Sequence, residues 1–322
     1  MLFKRIKGLF IILIIGVLFT SCTIKSANVI ANDGSISRKN KSYKFGVVFM
    51  NLHNPFFKAL NRGIESVISE NGDKLITLDP QSDVEKQIIC VEELISQKVD
   101  LIFLNPIDWK TIKPALEEAK KADIPVIIVD NPAFDEDLVE NTIASDNYNA
   151  GVLVAKDMMK RKSEGNIAIL DFPLAKSAID RVNGFKDTIA GNDNFKIVAI
   201  ESSDGILEKA MPVMEKIINT YENIDIVFGH NDPTAIGAIA ALEHLGKKEG
   251  VLVYGVDGSS EAIELIEAGI MTATVAQFPL EIGIIAARDA YRILEGQMVE
   301  SSIKVPVKLV NSDNVKDFSS SW

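Results

Sequence analysis

The stretch Lys44–Phe57, KFGVVFMNLHNPFF, decides the fold. Phe45–Met50 is an unbroken apolar run, the pattern of a strand buried on both faces. Asn54-Pro55 then reads as a helix start. The asparagine side-chain oxygen accepts a free backbone N–H, and a proline at the first helical position has no N–H to lose and a φ already suited to the helix. Phe56, Phe57, Leu60, Ile64, Val67 and Ile68 follow at helical spacing. Asn51–Asn54 thus links a buried strand to a capped helix. In an open α/β sheet such a loop lies at the carboxyl end of its strand, where ligands bind. Asn54, Phe56 and Phe57 are expected to line one wall of a small-molecule cleft. The competing reading makes both phenylalanines core residues, and pattern alone favours it.

The alternation continues outward from this stretch. Strand-like runs recur at 75–78, 101–104, 126–129, 167–170, 197–200, 226–228, 251–254 and 272–276. Amphipathic helical segments cover 55–71, 84–98, 110–122, 149–160, 177–189, 207–220, 233–245, 260–268 and 280–294. A βαβα order with apolar strands predicts an α/β fold of parallel sheets covered on both faces. So many strands exceed one small sheet, and two doubly wound domains split near Ala144–Asp146 are the expected solution.

The chain of 322 residues is 47% hydrophobic and 25% charged, as a folded globular protein is. Its formal charge is −11, and −14 without Lys4, Arg5 and Lys7. This balance argues against nucleic acid as a partner, because phosphate binding needs a basic face. Residues 1–22 read as a secretion leader. Those three cations precede an apolar run, Leu9–Phe19, too short to span a membrane comfortably, and Thr20-Ser21-Cys22 follows. The ending resembles the lipobox of bacterial lipoproteins, in which the cysteine is lipidated, although Phe19 stands where Leu or Val is usual. An ordinary cleaved signal peptide is the alternative. Residues 23–42, rich in Ser, Asn and Lys, read as a flexible tether. The only other cysteine, Cys90, falls on the apolar face of a helix, so neither a disulfide nor a metal site is expected.

Polar residues cluster just after the strands: Asn105-Pro106, Asp130-Asn131-Pro132, His230-Asn231-Asp232, Asp257-Gly258 and Gln277. Each alone is as readily a helix cap; their repetition favours a polar pocket. No GxGxxG or GxxxxGK[ST] motif opens a helix after a strand, and none of the three histidines, His53, His230 and His244, sits in a metal spacing or beside a nucleophile motif. No cofactor is expected. Arg181, in Arg-Val-Asn-Gly-Phe, is suited to donate several bonds to ligand oxygens; a surface ion pair is its competing role.

These residues together carry a resemblance. Asn54-Pro55-Phe56-Phe57, Asn105-Pro106, Ile127–Asp130, Ser145-Asp146-Asn147, Arg181–Phe185, Asn231-Asp232, Gly255–Gly258 and Ala276-Gln277, in this order, make Lys44 to about Asp317 similar to the periplasmic sugar-binding proteins of the ribose-binding type, the substrate-binding components of ABC transporters. The resemblance implies two Rossmann-like lobes (43–144 with 278–305, and 145–277 with 306–318) joined by crossings near 144–146, 277–278 and 305–306. It further implies that Asn54, Asn105 and Asp130 bind sugar hydroxyls from the first lobe and that Phe56 and Phe57 stack on the ring. Arg181, Asn231, Asp257 and Gln277 would act from the second lobe and the hinge. The chain departs from the ribose pattern at Asn131, where a second arginine is usual, at Gly205 in place of a third aromatic, at Val256 in place of an aromatic, and at Met50 in place of a small polar residue. His53, Asn131 and Trp109 are secondary candidates, and a monosaccharide other than ribose, a deoxy sugar, a polyol or a cyclitol is expected.

The implied function is a monomeric extracytoplasmic lipoprotein that delivers a sugar or polyol to an ABC permease, touching the membrane through its lipid alone. A sugar-sensing input for a chemoreceptor or histidine kinase would use the same pocket. An enzyme using Asp130 and Asp257 as a glycosidase pair is disfavoured by the lack of a second catalytic constellation, and a repressor by a leader where a helix-turn-helix would stand.

Overall fold

The computed structural model describes residues 41–319, so the expected leader, Cys22 and nearly all of the tether lie outside the described residues. The elements run β1 (Lys44–Val48), α1 (Pro55–Glu70), β2 (Lys74–Leu78), α2 (Val84–Ser96), β3 (Leu101–Leu104), α3 (Lys113–Lys121), β4 (Val126–Val129), β5 (Asn141–Ser145), α4 (Asn147–Arg161), β6 (Gly165–Asp171), α5 (Lys176–Ile189), β7 (Phe195–Ser202), α6 (Leu207–Thr220), β8 (Ile226–Gly229), α7 (Asp232–His244), β9 (Leu252–Asp257), α8 (Ser260–Glu267), β10 (Ala273–Ala276), α9 (Pro279–Leu294), β11 (Ser302–Val305) and β12 (Lys308–Asn311).

The strands build two six-stranded sheets of matching order, β11-β5-β4-β3-β1-β2 and β12-β10-β9-β8-β6-β7. All neighbours are parallel except β12, which runs antiparallel to β10. The apolar runs explain the layering. In β1, Phe45 and Val47 face one core with α1 and α9, while Val48 faces the other with α2 and α3. In β6, Ile167 and Ile169 point to the α4–α5 side and Ala168 and Leu170 to the α6–α7 side. Both faces of each sheet are therefore greasy, as a parallel sheet under two helical layers requires.

The chain passes between the sheets three times, after β5, after β10 and after β11. Two passages carry a helix away from its preceding strand. Following β5 of the first sheet, α4 packs on α5 of the second; following β10 of the second sheet, α9 packs on α1 of the first. Both crossings depend on glycine. A methyl group at Gly63 or Gly283 would overlap backbone of the facing helix in the α1–α9 pair, and one at Gly151 or Gly184 would do so in the α4–α5 pair.

Three strands, β5, β11 and β12, go beyond the runs expected from sequence. They are short and polar, NTIAS, SIKV and KLVN. The two edge strands need little apolar surface. β5 is buried, and its Asn141 is held by Asp289 at 2.8 Å. Cys90 is half-buried against the core beneath α2, and burial raises its thiol pKa. No helix among the described residues is long and apolar enough to cross a membrane.

Candidate functional site

The carboxyl ends of the two sheets face one another across a cavity of about 240 Å³, below the roughly 300–1,000 Å³ of drug-sized sites. From the first sheet, the loop after β1 supplies Asn54. Its Oδ1 accepts the Phe56 N–H at 2.9 Å, capping α1 and leaving its amide N–H₂ group beside the cavity. Phe56 and Phe57 meet edge to face at 5.4 Å, and Phe57 stacks on Phe49 at 5.9 Å. Both belong to the core and both line the cavity, so the two competing readings of this pair hold together.

Asp130, just beyond β4, lines the cavity with φ at +64°. Its Oδ2 accepts from Asn105 Nδ2 at 3.0 Å. Burial pushes its carboxyl up to about 6, and neighbouring Arg181 and the Asn105 bond only partly offset this. Asp257 holds the matching place as the last residue of β9, at φ +148°. Two strand-end carboxylates in sparsely populated backbone conformations mark positions the fold holds under strain, as functional sites do. Asp257 Oδ1 accepts from Gln277 Nε2 at 2.7 Å. Burial, with the nearby charge of Asp232, raises its pKa well above the ordinary carboxylate range. Asp232 lies behind it, fully buried, accepting from Thr274 Oγ1 at 2.6 Å and the Ser259 N–H at 2.8 Å.

Arg181 is buried, not a surface ion-pair residue. Its Nε donates to Asn147 Oδ1 and its Nη1 to the His230 carbonyl, each at 2.8 Å. Nη2 has no protein partner among the described residues, so that end of the guanidinium is free for an oxygen in the cavity. Gln277 is 2% exposed and its Oε1 has no hydrogen-bond partner among the described residues. A buried carbonyl left in this way costs about 1–3 kcal/mol, which a ligand hydroxyl would relieve. Asn231 lines the cavity but also caps α7, accepting the Thr234 N–H at 3.0 Å and donating to the Gly205 carbonyl at 3.1 Å.

Four sequence candidates lie off the cavity lining, which revises their expected contact with ligand. Asn105 is fully buried, and its amide is committed to Met50 N–H, the Val129 carbonyl and Asp130, so it supports Asp130 from behind. Asn131 donates to the Pro106 carbonyl at 2.7 Å and accepts the Ser177 N–H at 3.1 Å, bridging loops of the two sheets. Trp109 lies against Phe134 at 5.4 Å with Lys110 over its ring, and its backbone N–H donates to the Leu174 carbonyl. His53 is exposed.

Conversely, Phe172 lines the cavity without having been a site candidate, and so does His230, which the sequence offered only as a polar strand-end residue. Burial and then Arg181 lower His230 to about 3, so the ring is neutral; its Nδ1 lies 3.2 Å from the Leu170 carbonyl. Phe172, directly after β6, is 6.1 Å from that ring. Its signal was an apolar residue before a proline at a strand end, the place the β1 loop holds in the first sheet. No cluster of His, Cys, Asp or Glu among the described residues is arranged to hold a metal.

Residues 45–298 match the family of the periplasmic binding protein domain. The chain belongs to the periplasmic binding protein family. It is 36% identical to the ribose import binding protein RbsB of Bacillus subtilis (strain 168), over 85% of this chain and 89% of that protein. Its fold superposes with a TM-score of 0.79 on an ABC transporter periplasmic solute-binding protein of Actinobacillus succinogenes with bound D-allose, at 30% identity and over 86% and 100% of the two chains. A solute-binding protein of Bacillus halodurans with bound myo-inositol superposes at 0.81, with 29% identity over 87% and 98%. The two-lobed architecture is thus that of the family, whose place is outside the cytoplasm.

Proposed function

We propose that this chain captures one monosaccharide or sugar-like polyol between its lobes and hands it to an ABC permease. The observation that carries the reading is the buried, unpartnered Gln277 Oε1, grouped with the free Nη2 of Arg181 and the carboxylates of Asp130 and Asp257 round a cavity walled by Phe56 and Phe57. A sugar presents a belt of hydroxyls and C–H faces, and planar polar groups around aromatic rings match it. The relatives' sugar and polyol ligands support the same class. Asn54, Phe56, Phe57, Asp130, Arg181, Asn231, Asp257 and Gln277 are the contact residues of this reading. The lobes are 43–144 with 278–305 and 145–277 with 306–318. Ligand contacts both, so it favours the closed form by its additional contacts there. The protein acts as a monomer and releases its ligand chemically unchanged.

A thermal-shift screen against D-ribose, D-allose, D-galactose, D-fucose, myo-inositol and glycerol tests this, since a ligand raises the midpoint according to its affinity and concentration. At least one ring compound should raise it by several degrees. A flat response to all of them, or recovery of an altered sugar, would overturn the reading. Residues 1–22 are proposed as a leader cut before a lipidated Cys22, with 23–42 as tether. Cys22→Ser should then move the protein from the membrane fraction to the soluble fraction; unchanged anchoring would exclude the lipid.

A further inference from the structure

His230 is a polar side chain of the cavity to which the contact set above gives no task. It follows β8 directly, lines the cavity and is 4% exposed. Its backbone is fully committed. The N–H donates to the Leu170 carbonyl at 3.0 Å, and the carbonyl accepts Arg181 Nη1 at 2.8 Å. Its ring is held too, with Nδ1 3.2 Å from that same Leu170 oxygen. A carbonyl oxygen only accepts, so Nδ1 carries a hydrogen. Burial and then Arg181 keep the imidazole neutral, and a neutral imidazole has a single N–H to place. Nε2 is therefore a lone pair, able to accept and unable to donate.

That nitrogen has no hydrogen-bond partner among the described residues, and it is not walled off as Gln277 Oε1 is. Because the residue is otherwise buried, the surface it keeps belongs to the cavity. Gly205 keeps the approach open. It lines the same cavity at φ +72°, and a methyl group there would stand 3.3 Å from Nε2. Any side chain at 205 would crowd the nitrogen. Phe172 lies beside the imidazole, 6.1 Å between ring centroids. A ring that served packing alone would need no nitrogen at this corner. Position, tautomer and access are all fixed before a ligand arrives, which spares binding the cost of ordering them.

We infer that His230 is a ligand contact whose Nε2 accepts a hydroxyl hydrogen from the bound sugar, and that the Leu170 carbonyl, by holding the hydrogen on Nδ1, makes it a specificity-determining residue. This rests on the sugar-binding reading above and deepens it. The amide N–H₂ of Asn54 takes any ligand oxygen, whether hydroxyl, ether or carbonyl. The lone pair of His230 takes only an oxygen that brings a hydrogen. A ligand with a methylene, keto or methyl-ether group at that place leaves the lone pair unsatisfied and is rejected.

Nitrogen-15 spectroscopy of the histidine-labelled protein tests this, with D-ribose, D-allose, D-galactose and myo-inositol as probes. His53→Gln and His244→Gln, both at exposed positions, leave His230 as the single histidine of the chain. In the free protein at pH 7, Nδ1 should resonate as a protonated nitrogen and Nε2 as an unprotonated one. Saturation with a probe that gives heat by calorimetry should move the Nε2 resonance upfield, as accepting a hydrogen bond does, and leave Nδ1 nearly in place. A hydrogen on Nε2 in the free protein, or an Nε2 resonance indifferent to a saturating probe, would overturn the assignment and leave sugar binding standing. Calorimetry on variants gives a second arm. His230→Phe keeps a ring at the site, and the Leu170 carbonyl keeps the backbone N–H, so folding is retained. Its Kd for that probe should rise roughly ten-fold or more. His230→Gln, whose Oε1 can reach the place of Nε2, should bind at least three-fold more tightly than His230→Phe. An unchanged Kd in His230→Phe, or equal losses in both variants, would also overturn the assignment. No heat with any probe would overturn it together with the sugar reading.

Discussion

Asp130 combines strained backbone, burial and a raised pKa, which fixes the sign of its pH behaviour. The folded state holds its proton more tightly than the unfolded chain does, since its pKa moves from 3.8 to about 6. Its contribution to stability is therefore full below the unfolded value and is lost as pH rises through about 6. Asp130→Asn removes this titration. The melting midpoint of the variant minus that of the parent should climb between about pH 4 and pH 7, by the equivalent of up to ~3 kcal/mol; a difference that ignores pH would contradict it. The same variant should bind sugar at least ten-fold more weakly, because charge-assisted bonds to hydroxyls are lost. Such strand-end residues were legible in the sequence as polar groups closing apolar runs. Which of them face the cavity was not. Asn105 and Asn131 carry the same amide as Asn54, but theirs are bonded to the Val129 and Pro106 carbonyls. Nor did the sequence distinguish a phenylalanine that packs from one that lines a cavity, since Phe56 and Phe57 do both.

At the scale of elements, the α4–α5 crossing positions the arginine. Gly151 lies against the Arg181 carbonyl and Gly184 against that of Tyr148, so the helices touch backbone to backbone. Gly151→Ala forces them apart and displaces Arg181 from Asn147 and the His230 carbonyl. A stability loss of roughly 1–3 kcal/mol is expected from the overlap, together with at least a ten-fold loss of ligand affinity by calorimetry. Unchanged affinity would separate the guanidinium's placement from the crossing. The long helices and central strands were legible because their apolar periods are strong: β3 and β4 run over the residues expected, and α6 begins and ends where its pattern does. β5, β11 and β12 were hidden because a four- or five-residue polar strand has no period to read. Their place is set by pairing with neighbours far away in sequence.

For the molecule as a whole, closure has contacts of its own. The Trp109 backbone N–H donates to the Leu174 carbonyl at 3.1 Å and the Ser177 backbone N–H to Asn131 Oδ1, both joining loops of the two sheets. Asn131→Ala removes one of these and should lower the closed fraction. Apparent affinity falls in proportion to that fraction, about five-fold for one net hydrogen bond, while small-angle scattering of the unliganded protein reports a larger radius of gyration. Equal radii and equal affinities would show that this bond does not bias closure. The exchange of helices between sheets has a further consequence, for the order of events in biogenesis. The amino-terminal sheet is roofed by Pro279–Leu294 and edged by Ser302–Val305, segments synthesised near the end of the chain. A nascent polypeptide that has reached only its midpoint already has α1, α2 and α3 on this sheet but lacks α9, so the core that Ile282, Ala286, Ala290 and Tyr291 complete is still open. The first sheet therefore completes its core only once the last segments of the chain have been made.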